Sequence, residues 1–248
     1  MLLRICARIL PGFSNYRLNV SGVGWITINL KDSSGIAWLN YSLGDADLED
    51  GLICAVTRLA PENPILWDIG ANAGFFAAGL IQRLKSYTEV RLFEPNPKFV
   101  SALQELADRL ANVYPHNLAL SDKVGDFTLY IPLRESSTAS FTLAPNSRPV
   151  TVQCTTGDAF LRNSGSPDPD VIIIDTEGND CRVIRGLAEL IERKRPIIFF
   201  ENIFETAETI RQALPRTYRD FTVDDKSGEL VEGLDKSRGH NSVLVPQK

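Results

Sequence analysis

Four short apolar runs constrain the fold of this chain more than any other feature of its sequence. They cover residues 65–67, 90–93, 171–174 and 197–200. Strands that are apolar at nearly every position are typical of parallel sheets covered by helices on both faces. Apolar residues at helical spacing follow each run, as in residues 76–84 after the first. Strand alternating with helix predicts a doubly wound α/β fold with a mostly parallel sheet.

The segments around these runs have other patterns. Residues 17–20, 24–30 and 36–38 predict short β segments, and residues 48–59 a helix. Residues 126–131 and 149–155 predict strands on either side of a Ser/Thr/Pro-rich loop at 134–148, and residues 221–223 and 242–245 a terminal β pair. A long polar loop inside an α/β domain is typically either disordered or a substrate lid, and we expect pocket walls from this loop and from the N-terminal β segment. We therefore expect two units: an N-terminal helix and β segment (residues 1–63) that packs on the core, and an α/β domain (residues 64–248).

Charge and cysteine content exclude several classes of protein. Lys and Arg total 26 against 31 Asp and Glu, a net charge of −5, which argues against a nucleic-acid or anionic-membrane partner. The 4 cysteines are far apart in the sequence, a spacing that supports neither a zinc site nor a disulfide framework. Free thiols in a chain of this length indicate a reducing compartment. Residues 1–10 are apolar but interrupted by Arg4 and Arg8, and predict a short amphipathic helix rather than a signal peptide or a membrane span. We expect a cytoplasmic protein without a transmembrane segment.

The first apolar run ends in Asp68-Ile-Gly-Ala-Asn-Ala-Gly-Phe-Phe. Gly70 and Gly74 allow a tight turn in which a ligand lies against the backbone. Asn72 and Phe75 stand where a dinucleotide-binding motif requires glycine. The carboxylate of Asp68 favours a cationic or amino-bearing ligand over a pyrophosphate. A tight turn without a ligand is the alternative.

Polar residues also follow the later strands. Glu94 lies 20 residues after Gly74, the position from which an acid holds a ribose in nucleotide-binding folds, and its alternative is a solvated surface acid. Ser121 or Asp122 could bond a base edge, but a turn before Gly125 explains them equally well.

The third run ends in Asp175-Thr-Glu-Gly-Asn-Asp, and the fourth in Glu201-Asn202. We expect Asp175 and Glu177 to face the crevice at the carboxyl edge of the sheet. The alternative is helix-end electrostatics, in which Asn179 or Asp180 caps the next helix.

In this order, the motifs beginning at Asp68, at Glu94 (Glu-Pro-Asn-Pro), at Asn117 (Asn-Leu-Ala-Leu-Ser-Asp) and at Asp175 resemble the FkbM family of S-adenosylmethionine-dependent methyltransferases. The resemblance covers residues 64–245 and includes the closing motif at 239–246. It implies a Rossmann-like class I methyltransferase sheet of seven strands, the last antiparallel, with residues 64–248 as the S-adenosylmethionine-binding domain. Members often have Glu where Asp180 stands.

The resemblance also implies a cofactor site. The turn from Asp68 to Gly74 would hold the methionine end, Glu94 the ribose, and residues 119–122 the adenine, while residues 175–178 would lie between cofactor and acceptor. The residues expected at the cofactor are Asp68, Gly70, Ala71, Asn72, Gly74, Phe75, Glu94, Pro95, Ala119, Ser121, Asp122 and Asp175.

The implied activity is O-methylation of a hydroxyl on a sugar, glycolipid or secondary metabolite, with Asp175, Glu177 or Glu201 as candidates for the base. A less favoured alternative, by analogy with catechol O-methyltransferase, is a divalent metal held by Asp175, Glu201 and Asn202.

Two rival functions stay open. One is an inactive methyltransferase fold that serves as a binding module. The other is an NAD(P)-dependent oxidoreductase, which the missing Gly-x-Gly-x-x-Gly and Tyr-x-x-x-Lys motifs disfavour.

The histidines and tryptophans have simpler expectations. We expect His240 either in the acceptor pocket or in a structural hydrogen bond, and His116 in a structural role. We expect the tryptophans in the core: Trp25, Trp38 and Trp67.

Overall fold

The computed structural model describes residues 15–20, 24–29, 50–133, 136–203, 207–213 and 217–247. The helix predicted at 1–10 and the strand predicted at 36–38 lie outside these ranges. The strands are β1 (Asn15–Val20), β2 (Gly24–Asn29), β3 (Ile65–Ile69), β4 (Glu89–Phe93), β5 (Val113–His116), β6 (Ala119–Leu120), β7 (Gly125–Pro132), β8 (Ser147–Thr155), β9 (Val171–Ile174), β10 (Ile197–Glu201), β11 (Tyr218–Val223), β12 (Leu230–Glu232) and β13 (Asn241–Pro246). The helices are α1 (Asp50–Leu59), α2 (Phe75–Arg83), α3 (Val100–Ala107), α4 (Gly157–Ser164), α5 (Asp180–Arg185), α6 (Ala188–Lys194) and α7 (Ala207–Ala213).

The central sheet has the strand order β12-β11-β13-β10-β9-β3-β4-β5. The five strands from β10 to β5 run parallel, and β13 runs antiparallel to both of its neighbours. The predicted α/β class, with its antiparallel last strand, is confirmed. The predicted number of seven strands is wrong by one, because the edge strand β12 pairs with β11 and is too short to show an alternating pattern.

The order of the strands reverses beside β3. From β3 the chain continues outward through β4 and β5, and it later returns to place β9 on the other side of β3. Open α/β sheets bind ligands at such a switch point, in the crevice beyond the carboxyl ends of the strands.

The pleat of the strands divides the core between the two faces of the sheet. Leu66 joins a cluster with residues of α1, α2 and α3, whereas its neighbour Trp67 joins a cluster with residues of α4, α5 and α6. The Trp67 ring is fully buried, with its centroid 4.9 Å from that of Phe93 and 5.5 Å from that of Phe160. The core position predicted for Trp67 is confirmed; the side chains of Trp25 and Trp38 lie outside the described residues.

The segments around the central sheet agree with the sequence in part. The strands predicted at 126–131 and 149–155 form the hairpin β7–β8, and β6 pairs with β8. The prediction of a single helix after β9 is wrong, since two helices, α5 and α6, are separated there by Gly186 and Leu187. A Cβ atom on Gly186 would lie 2.0 Å from the backbone oxygen of Ser121. Helix α4 was not predicted; the Thr156 side chain caps it by accepting from the backbone N–H of Ala159 at 3.1 Å.

The hairpin β1–β2 lies against α3. The backbone N–H of Thr27 donates to Glu105 Oε2 at 3.0 Å, and Ile26 and Ile28 share the cluster that contains Leu103. The division into residues 1–63 and 64–248 stays a prediction. Within the described ranges, no helix has the length and apolar character needed to cross a membrane.

Candidate functional site

A cavity of 390 Å³ lies at the carboxyl ends of β3, β4, β9 and β10. Nine of the residues expected at the cofactor line it: Asp68, Gly70, Ala71, Asn72, Phe75, Glu94, Pro95, Ala119 and Asp175. Gly74, Ser121 and Asp122 are not among its lining residues. The strand ends that carry these polar motifs therefore meet at one place.

Gly70 brings three strand ends together. Its backbone N–H donates to the Phe93 carbonyl at 2.8 Å, and its φ of +95° lies in the left-handed region. A Cβ atom on Gly70 would lie 1.7 Å from the backbone oxygen of Asp175. Gly74 has a different role, because a Cβ atom there would meet Leu106 on α3 at 2.7 Å.

Asn72 connects this turn to two other parts of the site. Its φ is +51°, a conformation that asparagine tolerates better than most residues. Its backbone N–H donates to Glu94 Oε2 at 2.9 Å, and its side-chain oxygen accepts from the N–H of Ala73 at 2.8 Å. Its side-chain amide donates to the Ser137 carbonyl, on the loop between β7 and β8, at 3.3 Å.

Glu94 is buried at the end of β4, so its alternative as a solvated surface acid is wrong. One carboxylate oxygen accepts from the N–H of Asn96 at 2.7 Å and the other from the N–H of Asn72 at 2.9 Å. Burial raises the pKa of Glu94 to about 7, although the two hydrogen bonds act in the opposite direction and lower the pKa. A carboxylate has about four lone-pair sites, which leaves room for further donors from a ligand.

Asp175 and Glu177 follow β9 and both line the cavity. Asp175 is exposed to the cavity, but the surrounding protein desolvates its carboxylate and raises its pKa to about 6. Glu177 has a φ of +53°; burial, followed by repulsion from Asp175, raises its pKa to about 7. Both groups therefore exchange protons close to neutral pH.

Asp180 fixes the shape of this turn. One of its oxygens accepts from the backbone N–H of Thr176 at 3.1 Å and from the Thr176 hydroxyl at 2.8 Å. Its other oxygen is buried and has no hydrogen-bond partner among the described residues. Burial is the main cause that raises the pKa of Asp180 to about 7.

Helix α5 begins without a side-chain cap, so the capping role suggested for Asn179 or Asp180 is wrong. The Asn179 amide instead donates to the Leu120 carbonyl at 2.9 Å, and its oxygen accepts from the Ser121 hydroxyl at 2.9 Å. Ser121 is therefore occupied within the protein.

One wall of the cavity comes from β7 and from the Ser/Thr/Pro-rich loop that follows it. Leu129 on β7 and Ser137, Ala139, Ser140 and Phe141 after it line the cavity. Reciprocal backbone hydrogen bonds between Tyr130 and Ser140, of 2.9 and 3.2 Å, fold this loop against β7. The pocket wall expected from the Ser/Thr/Pro-rich loop is therefore present, whereas no described residue of β1 or β2 lines the cavity, so the wall expected from the N-terminal β segment is not found there.

Of the three residues considered for a metal, Asp175 and Glu201 line the cavity and Asn202 does not. The buried Asn202 amide donates to Ser242 Oγ at 2.8 Å and so helps to hold β13 beside β10. Within the part of the chain that the structure describes, no group of three or more His, Cys, Asp or Glu side chains could hold a metal ion.

Neither histidine lines the cavity. His240 Nδ1 lies 3.1 Å from Asp225 Oδ2 in an exposed pair, which favours the structural alternative for this residue. The His116 ring stacks on Phe93 at 5.0 Å between centroids, and burial together with Arg91 lowers its pKa to about 4. The structural role predicted for His116 is confirmed.

Comparison with known proteins gives three kinds of match. Residues 68–222 match the family profile of the methyltransferase FkbM domain. Hexuronic acid methyltransferase AglP of Haloferax volcanii is 27% identical over 154 residues, which are 61% of this chain and 62% of that protein. This chain thus spans less than two thirds of the length of that relative.

The solved structures include methyltransferase FkbM from Methylobacillus flagellatus KT, with a TM-score of 0.51 and 15% identity over 85% of this chain and 53% of that one. A TehB-like SAM-dependent methyltransferase from Corynebacterium glutamicum has a TM-score of 0.50 and 11% identity over 87% of this chain and 96% of that one. At these identities the likeness concerns the fold, which is that of class I methyltransferases.

Proposed function

The chain belongs to the FkbM methyltransferase family, and from this premise we propose that it transfers a methyl group from S-adenosylmethionine to a hydroxyl of a glycan. The observation that carries the proposal is the cavity at the switch point of the sheet, where Asp68, Glu94 and Asp175 meet at the ends of three parallel strands.

The residues of the cavity fit the parts of this cofactor. The remaining lone pairs of Glu94 suit the two ribose hydroxyls, and the Asp68 carboxylate suits an ammonium group. Pro95, Leu118 and Leu120 offer an apolar wall for a base. When bound, S-adenosylmethionine would supply a methyl group on a sulfonium, whose sulfur leaves with the bonding electrons as a neutral thioether.

The protein's own part is to hold the acceptor oxygen in line and to take its proton. Asp175 and Glu177 lie at the end of β9, and Glu201 lies at the end of the neighbouring β10. The pKa values of about 6 for Asp175 and about 7 for Glu177 suit a base that works near neutral pH. We assign proton acceptance to Asp175 or Glu177, with Glu201 as the other candidate.

The acceptor class rests on the relatives. AglP is named for its action on a hexuronic acid, which supports a sugar as the acceptor here. Sugars present hydroxyl groups, so we propose that the methyl group is transferred to oxygen.

Calorimetric titration with S-adenosylmethionine, and separately with NADH, tests the cofactor. We expect micromolar binding of the first and no binding of the second. Binding of NADH would support the oxidoreductase alternative. Failure of S-adenosylmethionine to bind would contradict the proposal and favour the inactive binding module.

Glu94→Gln tests the role of the ribose-side carboxylate. We expect at least about a tenfold loss of affinity for S-adenosylmethionine, equivalent to about 1.4 kcal/mol, because an amide accepts fewer and weaker hydrogen bonds than a carboxylate. The NH2 group of the new side chain would also face the backbone N–H of Asn72 or Asn96. Two donors cannot bond to each other, so the free energy of unfolding should fall by about 1–3 kcal/mol.

The control is Glu62→Gln, at an exposed position outside the cavity. Titration below the unfolding temperature of each variant separates affinity from stability. Unchanged affinity in a destabilised Glu94→Gln protein would assign Glu94 to structure alone.

A further inference from the structure

We infer that the acceptor of this protein carries no carboxylate: the cavity suits a neutral or amine-bearing glycan, unlike the hexuronic acid for which the relative AglP is named. This inference rests on the proposed function and concerns the acceptor half of the same cavity.

The hydrogen-bonding character of the cavity supports this acceptor class. Glu177 and Glu201 line the cavity together with Asp175, at the ends of β9 and β10. Ionised carboxylates accept hydrogen bonds and donate none, so the ligand that complements them must supply donors. Sugar hydroxyls and ammonium groups supply donors, whereas a ligand carboxylate supplies only further acceptors.

The charge balance of the cavity leads to the same conclusion. Its carboxylate residues are Asp68, Glu94, Asp175, Glu177 and Glu201, and its described lining contains no Lys, Arg or His. S-adenosylmethionine combines a sulfonium and an ammonium with one carboxylate and therefore adds only one net positive charge. An acceptor with its own carboxylate would add a negative charge to an excess that the cofactor does not balance.

Repulsion within the cavity is already present before any ligand binds. Repulsion from the Asp175 carboxylate is one of the causes that raise the pKa values of Glu94, Glu177 and Asp180. The guanidinium of Arg91, on β4, is paired with Glu89 at 2.8 Å, and Arg91 does not line the cavity.

Binding of three matched sugars tests the inference: methyl glucoside, methyl glucosaminide and methyl glucuronide, which are neutral, cationic and anionic. The protein is first saturated with S-adenosylhomocysteine, so that no turnover occurs. Affinities are then measured by saturation-transfer NMR and calorimetry at pH 7.5. We expect the glucoside or the glucosaminide to bind at least about tenfold more tightly than the glucuronide.

The outcomes separate this inference from the proposed function. Glucuronide binding that is equal or tighter would overturn the inference and leave a sugar methyltransferase standing. Binding of S-adenosylhomocysteine without any of the three sugars would reject the glycan acceptor and the inference with it. Failure of S-adenosylmethionine and S-adenosylhomocysteine to bind would reject the proposed function itself.

Single variants then locate the source of the discrimination. Glu177→Gln and Glu201→Gln each remove one negative charge from the cavity and should reduce the discrimination against the glucuronide several-fold. Glu62→Gln removes the same charge from an exposed site outside the cavity and should leave the discrimination unchanged. An unaltered ratio in both cavity variants would show that these carboxylates do not select the acceptor.

Discussion

Among single residues, the site depends on turn positions that few side chains tolerate. Gly70 has this property because the backbone of Asp175 lies where its Cβ atom would be. Asn72 accepts a left-handed conformation, and its backbone N–H, its side-chain oxygen and its side-chain amide each make a hydrogen bond. The strand ends are therefore held in contact by backbone geometry as much as by side chains.

Gly70→Ala should be far more harmful than alanine at another left-handed glycine. Gly165 is the matched control, because its φ is +64° and a Cβ atom there would meet nothing within 4 Å. Gly165→Ala should cost only the backbone penalty of about 1–2 kcal/mol. Gly70→Ala adds the clash with Asp175, so its thermal midpoint and its affinity for S-adenosylmethionine should both fall well below those of the control. Equal stability of the two variants would contradict the close approach.

At the scale of elements, the hairpin β7–β8 supplies a wall to a cavity whose floor belongs to the central sheet. Leu129, Ile131 and Val152 form a small core of their own, with Phe127 and Phe141 packed against it. The hydrogen bond from Asn72 to Ser137 joins this hairpin to the glycine turn. The hairpin thus has the packing it needs to hold an aromatic side chain against the site.

Phe141→Ala should weaken binding of S-adenosylmethionine about tenfold, or about 1.4 kcal/mol, because it removes an aromatic surface from the cavity wall. The control is Leu143→Ala, on the same loop, where the side chain is 71% exposed and does not line the cavity. Calorimetry on both variants measures the difference. If the two variants bind the cofactor equally well, the loop does not contact it.

At the scale of the whole molecule, the cavity concentrates acids whose charged forms the fold disfavours. The pKa values of Glu94, Glu177 and Asp180 are raised to about 7, and that of Asp175 to about 6. Acids with a raised pKa in the folded state bind more protons there than in the unfolded chain. Their contribution to stability is complete below their unfolded pKa values and is lost as the pH rises through their folded ones. His116, with a lowered pKa, acts in the opposite direction below about pH 6.5.

The ligand-free protein should therefore have a lower thermal midpoint at pH 8 than at pH 6.5, a window in which these carboxyls ionise. A bound cation favours the ionised carboxylates, so binding of S-adenosylmethionine at pH 7 should release protons. Calorimetry in phosphate and in Tris, which differ in ionisation enthalpy, measures that release. A midpoint that rises with pH, together with equal heats in the two buffers, would contradict the raised pKa values.

The parts of this fold that depend on local pattern can be predicted from the amino-acid sequence. The nearly continuous apolar runs identified β3, β4, β9 and β10, because burial on both faces leaves few polar positions in a strand. The polar motifs after them could be placed at one edge, because parallel strands end on the same side of a sheet. Asp68, Glu94 and Asp175 do line one cavity there.

Which of these residues face the cavity, and which ones support it, depends on contacts between distant segments. Ser121 and Asn179 are 58 positions apart and bond to each other, and Gly74 packs on Leu106 rather than lining the site. The loop that carries Phe141 reaches the cavity through the pairing of β7 with β8 and of β8 with β6. Periodicity records which face of an element is buried, but not what lies against it. These contacts join segments distant in sequence, so they become defined only when the elements pack.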